Sequence, residues 1–74
     1  MMNKEEFIQL LQDKKYKTAQ HTLSEMNDMD TAAFLEELDA KECALAFRLI
    51  SKEKAADVFS CMNSKMQTFL VDMF

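Results

Sequence analysis

Polar helix-capping residues recur at a fixed spacing in this chain and divide its apolar residues into units of equal length. Four of them stand twelve residues apart: Asn27, Asp39, Ser51 and Asn63. All four are residue types that favour the N-cap of a helix. The spacing predicts four short helices of similar build, and such stacked arrays usually bind a partner rather than catalyse a reaction.

Within each unit, counted from its cap, apolar residues recur at the fifth, eighth and eleventh positions. The fifth position is alanine in three units and Thr68 in the last, whereas the other two positions hold large side chains. The eighth-position residues are Leu35, Phe47, Phe59 and Val71, and the eleventh-position residues are Leu38, Ile50, Met62 and Phe74. Helices of about ten residues are marginal alone. We therefore expect the units to pack on one another through these positions.

Two further helices are predicted before Asn27. The first begins at Asn3 with Glu6 as a capping-box partner, and Lys14 and Lys15 mark the corner before the second. Gly and Pro are absent from all 74 residues, which argues against the tight hairpins of a sheet. We predict an all-α fold in which about six short helices wind into a superhelix, forming one domain over residues 1–74.

Charge narrows the choice of partner. The window from Glu25 to Glu42 holds seven acidic residues and one base, Lys41, whereas the whole chain has a net charge of −4. No basic stripe is available to displace phosphate counterions, so we expect no nucleic-acid partner. The acidic window suits a cation or a basic partner, or it is a solvated helix face.

Catalytic signals are missing from the sequence. The single histidine, His21, lies on a polar helix face with no cysteine or carboxylate in an obvious sequence relation to it. Without glycine, neither a phosphate-binding loop nor an EF-hand can form. We predict that the chain is not an enzyme, and the one ligand class left is a hard cation, magnesium or calcium, on carboxylates.

The two cysteines bear on the compartment of the chain, and the length of its apolar runs bears on membrane insertion. Cys43 and Cys61 lie mid-helix among apolar residues and are predicted to be small buried fillers in a reducing compartment. The apolar runs are only a few residues long, so direct insertion into a membrane is not expected.

The sixth position of the units breaks the repeat. It is apolar in three units, at Ala33, Leu45 and Phe69, but acidic at Asp57. In one interpretation this edge faces solvent, with Lys54 as the surface partner of Asp57. In the other, Asp57 is a ligand, and Glu53 four residues earlier gives a like-charge pair that a bound cation would relieve.

The last segment, 68–74, is strongly apolar, although the outer face of a terminal repeat is normally polar. It either packs back into the array or is covered by a further element, or the chain associates with a second copy through it.

These residues together resemble a known family. The run from Asp30 to Ser51, followed directly by 52–59, is similar to the cytosolic N-terminal domain of MgtE-type magnesium transporters. The segments Phe47-Arg48-Leu49 and 52–56 (Lys-Glu-Lys-Ala-Ala) carry the likeness, which covers essentially the whole chain. The chain departs from the family where proline commonly follows the caps, and it stops before the family's last N-domain helices.

The resemblance implies a cytoplasmic regulatory domain with a right-handed superhelical fold, as a fragment or relative of a longer transporter. Its implied partners are the CBS domains and the transmembrane domain of that transporter. In this family, Mg²⁺ neutralises facing carboxylates at high magnesium and docks the N domain on the CBS domains. Asp57 falls where the family has an acidic residue that takes part in magnesium binding, which makes Asp57 the implied metal ligand. Glu53 is a second candidate ligand only through its spacing of four residues from Asp57.

The alternative is a helical-repeat interaction module with no magnesium role, comparable to the short-helix repeats of the flagellar motor-switch protein FliG.

Overall fold

The structure, a computed structural model, describes residues 3–74. Along this stretch the chain forms six short α-helices and no strand. The helices are α1 (Lys4–Gln12), α2 (Tyr16–Ser24), α3 (Asp28–Glu36), α4 (Ala40–Leu49), α5 (Lys52–Ser60) and α6 (Ser64–Met73). The predicted all-α class and helix number are therefore confirmed.

All six helices begin one residue after a cap that lies on the same twelve-residue spacing. The caps are Asn3, Lys15, Asn27, Asp39, Ser51 and Asn63. At five of them the side-chain oxygen accepts a hydrogen bond from the backbone N–H three residues on, at 2.7–3.2 Å. Lys15 makes no side-chain cap bond. The sequence pattern therefore showed four units of the repeat instead of six, because lysine is not a capping residue type.

The corner between α1 and α2 differs from the others in its backbone. Lys14 has a left-handed conformation, with φ of 59°. The N–H groups of Lys14 and Lys15 donate to the carbonyls of Leu11 and Leu10 at 3.1 and 2.9 Å, which is the Schellman pattern of a helix C-terminus. Glycine normally occupies this left-handed position, but the chain contains none. Lysine therefore bears the steric cost of the conformation.

The core is formed mainly by residues at the fourth, seventh, eighth and eleventh positions of the units, which together form one stripe of a helix. The fourth position is the most regular, being fully buried in the first four units: Phe7, Ala19, Thr31 and Cys43. The predicted eighth and eleventh positions belong to this stripe, but the fifth is buried at Ala32 and Ala44 and exposed at Ala56 and Thr68. Pattern analysis missed the fourth position because its residues share no obvious hydrophobic character.

Helices pack on their second neighbours as well as on adjacent ones. The main contacts are α2 with α4 and α3 with α5, together with the adjacent pairs α1–α2 and α3–α4. The side-chain amide of Gln20 on α2 donates to the carbonyl of Leu49 at the end of α4, at 2.5 Å. Phe7 of α1 meets Phe34 of α3 edge to face, with ring centroids 5.1 Å apart. Packing on second neighbours is compatible with a superhelix, and its handedness stays a prediction.

Candidate metal and docking surfaces

Helix α5 carries both carboxylates of the predicted metal site. Glu53 lies in its first turn and Asp57 one turn later, and both residues are exposed. Residues four apart on a helix are surface neighbours, with Cβ atoms about 5–6 Å apart. The hydroxyl of Ser60 donates to the backbone carbonyl of Asp57 at 2.8 Å, so this bond does not use the Asp57 carboxylate. Glu53 and Asp57 therefore lie one turn apart on a solvent-facing side of α5.

Lys54 does not pair with Asp57, so that part of the solvent-facing interpretation is wrong. Its ammonium lies 2.6 Å from the carbonyl oxygen of Met26 and 3.1 Å from Oδ1 of Asp28, at the corner between α2 and α3. The Lys54 side chain is only 16% exposed. A largely buried ammonium is more stable with two oxygen acceptors than beside one exposed carboxylate. Turning Lys54 into this corner leaves the face of Glu53 and Asp57 without its compensating charge.

The sixth position of the units is an edge of the core rather than a packing site in every unit. Ala33 and Asp57 are exposed there, whereas Leu45 and Phe69 are half-buried. An acidic residue at this edge retains its contact with water, so it does not need a partner to offset desolvation. The position of Asp57 is thus compatible with both interpretations, and its role in metal binding stays a prediction.

The donor chemistry of this face suits a hard cation but is incomplete. Mg²⁺ prefers about six oxygen ligands, of which proteins usually supply one or two carboxylates while waters supply several others. Glu53 and Asp57 match that contribution. Within residues 3–74, no group of three or more His, Cys, Asp or Glu side chains is arranged to hold a metal ion.

Several residues of the acidic window have structural roles. Asp39 and Glu42 form a capping box at the start of α4. Glu36 accepts a hydrogen bond from the backbone N–H of Asn63 at 3.2 Å, which ties the start of α6 to the end of α3. Asp28 holds the Lys54 ammonium. The window is therefore partly a set of caps and cross-links, rather than a single cation site.

His21 has a partner that the sequence analysis overlooked. Its Nε2 lies 3.3 Å from Oε1 of Glu25, four residues later on the same helical face. Both side chains are mostly exposed, at 73% and 69%. Such a solvated pair contributes little to stability. The neighbouring hydroxyl of Ser24 donates to the backbone carbonyl of His21 at 2.7 Å.

The two cysteines differ, contrary to the prediction that both are buried. Cys43 is fully buried and its Sγ lies 3.8 Å from Sδ of Met66, whereas Cys61, the C-cap residue of α5, is exposed. Burial raises the pKa of the Cys43 thiol, and the nearby charge of Glu36 raises it further. A raised pKa keeps the thiol protonated and disfavours nucleophilic chemistry at Cys43.

An apolar groove lies between residues of α4, α5 and the end of α6. Five residues line it, and we call it the α6 groove: Phe47, Phe59, Leu70, Val71 and Phe74. Its volume is about 340 Å³. Leu70 packs back into the core at 2% exposure, but Val71 and Phe74 remain 64% and 58% exposed. The apolar segment 68–74 is therefore only partly buried against the other helices.

None of the helices between residues 3 and 74 combines the length and the apolar character needed to cross a membrane.

Comparison with known protein families gives one match. Residues 26–74 match the family described as the MgtE intracellular N domain. The matched segment contains α3 to α6, whereas α1 and α2 precede it. Curated proteins and solved structures gave no match to the chain. The matched family consists of regulatory domains of magnesium transporters and is not an enzyme family. Because the match covers about two thirds of its residues, the chain belongs to the family of MgtE intracellular N domains.

Proposed function

We propose that this chain is a cytosolic, magnesium-responsive regulatory domain of an MgtE-type transporter. In this proposal it docks on the CBS domains of that transporter through carboxylates neutralised by Mg²⁺, and so controls ion flow through the transmembrane domain. Membership of the family supports the general role. The observation that carries the specific site is the exposed pair Glu53 and Asp57, from which Lys54 is turned away.

The mechanism follows from the charge of the α5 face. Two carboxylates one helical turn apart repel each other, and acidic groups on a facing domain would add to the repulsion. A divalent cation bound between the two domains favours the docked state over the separated state. Cation binding shifts the equilibrium only by its difference in affinity for the two states. Loss of Mg²⁺ would therefore release the domain.

The chain alone should bind Mg²⁺ weakly, because Glu53 and Asp57 supply only part of an octahedral ligand set. We expect a dissociation constant on the order of 1 mM, measured from amide shifts of the ¹⁵N-labelled chain during a Mg²⁺ titration. The shifts should centre on residues 53–57. Asp57→Asn should weaken binding about tenfold, because it removes one of two charged ligands.

A matched control is available in α1. Glu5 occupies the same repeat position as Glu53, in the first turn of its helix, and is also exposed. Glu5→Gln should leave the Mg²⁺ titration unchanged, whereas Glu53→Gln should weaken it. Equal effects of these two substitutions would show that Mg²⁺ binding reflects general surface charge, and would reject the site. In a transporter that carries this domain, magnesium gating unaffected by Asp57→Asn would reject the assignment of that residue.

A second candidate function is a protein-interaction module without a magnesium role. The exposed apolar end of α6 favours it, because contiguous exposed apolar residues commonly mark interaction surfaces. A Mg²⁺ titration without localised shifts at α5 would favour this second function over the first.

A further inference from the structure

The side chain of Lys54 is held by a corner outside its own helix. Lys54 lies in the first turn of α5, where its backbone N–H donates to the hydroxyl of the cap residue Ser51 at 3.2 Å. Helical side chains lean towards the N-terminus of their helix, so a long side chain here extends back along α5. The ammonium ends between the carbonyl oxygen of Met26 and the carboxylate of Asp28, beside α3, on which α5 packs. The α2–α3 corner therefore sets the direction of Lys54.

The two acceptors in this corner differ in how strongly they hold the ammonium. Met26 contributes a backbone carbonyl, which any residue at that position would supply, whereas Asp28 contributes a charged side chain. A hydrogen bond between two charged groups is roughly twice as strong as one between neutral groups. The side chains of Lys54 and Asp28 are 16% and 37% exposed, so solvent screens this pair only in part. Asp28 is thus the side chain on which the position of Lys54 depends.

A released Lys54 would have another acceptor within reach on its own helix. Asp57 follows it by three residues, and residues at this spacing are neighbours on a helix surface. Within residues 3–74, neither Glu53 nor Asp57 takes part in an ion pair. An ammonium that moved to this face would therefore compete directly with a cation for the same carboxylates.

We propose that Asp28 is a positioning residue for the α5 face formed by Glu53 and Asp57. By holding the Lys54 ammonium in the α2–α3 corner, Asp28 keeps a competing positive charge away from the two carboxylates and so sets their affinity for a divalent cation. Asp28 acts through Lys54 and is not itself a ligand. This inference rests on the proposed function, because it takes Mg²⁺ to bind at this face.

The expected effect is moderate because the face is exposed. A unit charge about 7 Å from a divalent ion, in surroundings close to bulk water, changes the affinity on the order of threefold once salt screening is included. Asp28→Asn should therefore raise the dissociation constant of Mg²⁺ about threefold. The measurement is a MgCl₂ titration of the full ¹⁵N-labelled chain at constant ionic strength, followed at the amides of residues 53–57.

Asp30→Asn is the matched control for the loss of one negative charge. Asp30 lies in the same first turn of α3 as Asp28 and is exposed, but it forms no ion pair among the described residues. Both substitutions replace a carboxylate with an amide of nearly the same shape. Asp30→Asn should weaken Mg²⁺ binding less than Asp28→Asn does.

Lys54→Met separates the effect of charge from that of structure. It breaks the same corner contact as Asp28→Asn, but it also removes the competing ammonium. Mg²⁺ affinity should therefore be unchanged or higher in Lys54→Met. In that background, adding Asp28→Asn should weaken binding no more than adding Asp30→Asn does. If the contact served only to keep the corner folded, breaking it from either side would weaken binding.

The Lys54 ammonium gives a second readout that needs no Mg²⁺. An ammonium that is largely buried and bonded to two acceptors exchanges its protons slowly with water. Its ¹⁵N–H resonance should be visible at low temperature in the unmodified chain and in Asp30→Asn, and should be lost in Asp28→Asn. Lys54→Met identifies the resonance, and the amide spectrum of each variant shows whether it is folded.

The outcomes distinguish this inference from the function on which it rests. Localised Mg²⁺ shifts at α5 that Asp28→Asn and Asp30→Asn weaken equally would overturn the inference alone. So would an effect of Asp28→Asn that persists undiminished in the Lys54→Met background, or a Lys54 ammonium resonance that survives Asp28→Asn. Absence of localised Mg²⁺ shifts in the unmodified chain would overturn the proposed function and this inference together.

Discussion

The first four units and the last two share one twelve-residue spacing of helix starts but bury their equivalent positions differently. At the fourth position, Phe7, Ala19, Thr31 and Cys43 are fully buried, whereas Ala55 and Gln67 are half-buried. At the eighth position, Leu35 has no exposure and Val71 is 64% exposed. The period of the repeat fixes the direction of a side chain relative to its cap. Its burial depends in addition on a later helix that packs over it.

The family match does not follow this division. It covers α3 to α6, and so includes both well-covered and open units, whereas α1 and α2 lie before it. Yet α1 and α2 have their caps, Asn3 and Lys15, on the same twelve-residue spacing. The structural repeat therefore extends further towards the N-terminus than the sequence match does. Helix geometry and neighbour packing preserve it where the capping side chain does not.

Truncating one eighth-position residue in each region should give the largest difference. Leu35→Ala removes a fully buried side chain of α3, the helix on which α5 packs, and should destabilise the fold by about 3 kcal/mol. Val71→Ala removes a mostly exposed side chain and should cost less than about 0.5 kcal/mol. Urea unfolding followed by circular dichroism measures both. Equal losses of stability would mean that the α6 groove is covered in solution.

The fold was largely predictable from the sequence because capping residue types and helical spacing are local signals. Asn27, Asp39, Ser51 and Asn63 cap helices as predicted. The unit at Lys15 was not predicted because its cap has no side-chain bond, although a helix begins one residue after it as in the other units.

The candidate site was less predictable because it depends on contacts between units. The sequence places Glu53 and Asp57 on one face of α5, but it does not show where the flexible side chain of Lys54 ends. Its acceptors belong to Met26 and Asp28, far away along the chain. Likewise, only the packed structure distinguishes the buried Cys43 from the exposed Cys61.

The Lys54 contact joins α5 to the corner between α2 and α3, and its removal should have an intermediate effect on stability. Lys54→Met removes an ammonium that bonds Met26 and Asp28 from a side chain only 16% exposed. We expect a loss of about 1–2 kcal/mol, because charge-assisted bonds are lost and Asp28 keeps a half-buried carboxylate without its partner.

Lys52→Met is the matched control for that experiment. It makes the same change of charge in the same helical turn, at an exposed position. Its effect on the free energy of unfolding, measured in urea, should lie within about 0.5 kcal/mol. If the two variants were equally stable, the Lys54 contact would contribute no more than a surface charge does.

A substitution at Lys14 should give the smallest effect on stability, and it should stabilise the fold instead of destabilising it. The φ of 59° at Lys14 places an L-residue with a side chain in the left-handed region, where glycine has no steric penalty. Lys14→Gly should therefore stabilise the fold by about 0.5–1 kcal/mol, after allowing for the greater freedom of glycine in the unfolded chain. In a domain of this size the thermal midpoint should rise by a few degrees. Lys17→Gly, inside α2, should instead lower it, because glycine is unfavourable within a helix. A lower midpoint for Lys14→Gly as well would show that the α1–α2 corner does not hold its left-handed residue in solution, and that this corner resembles the others of the repeat.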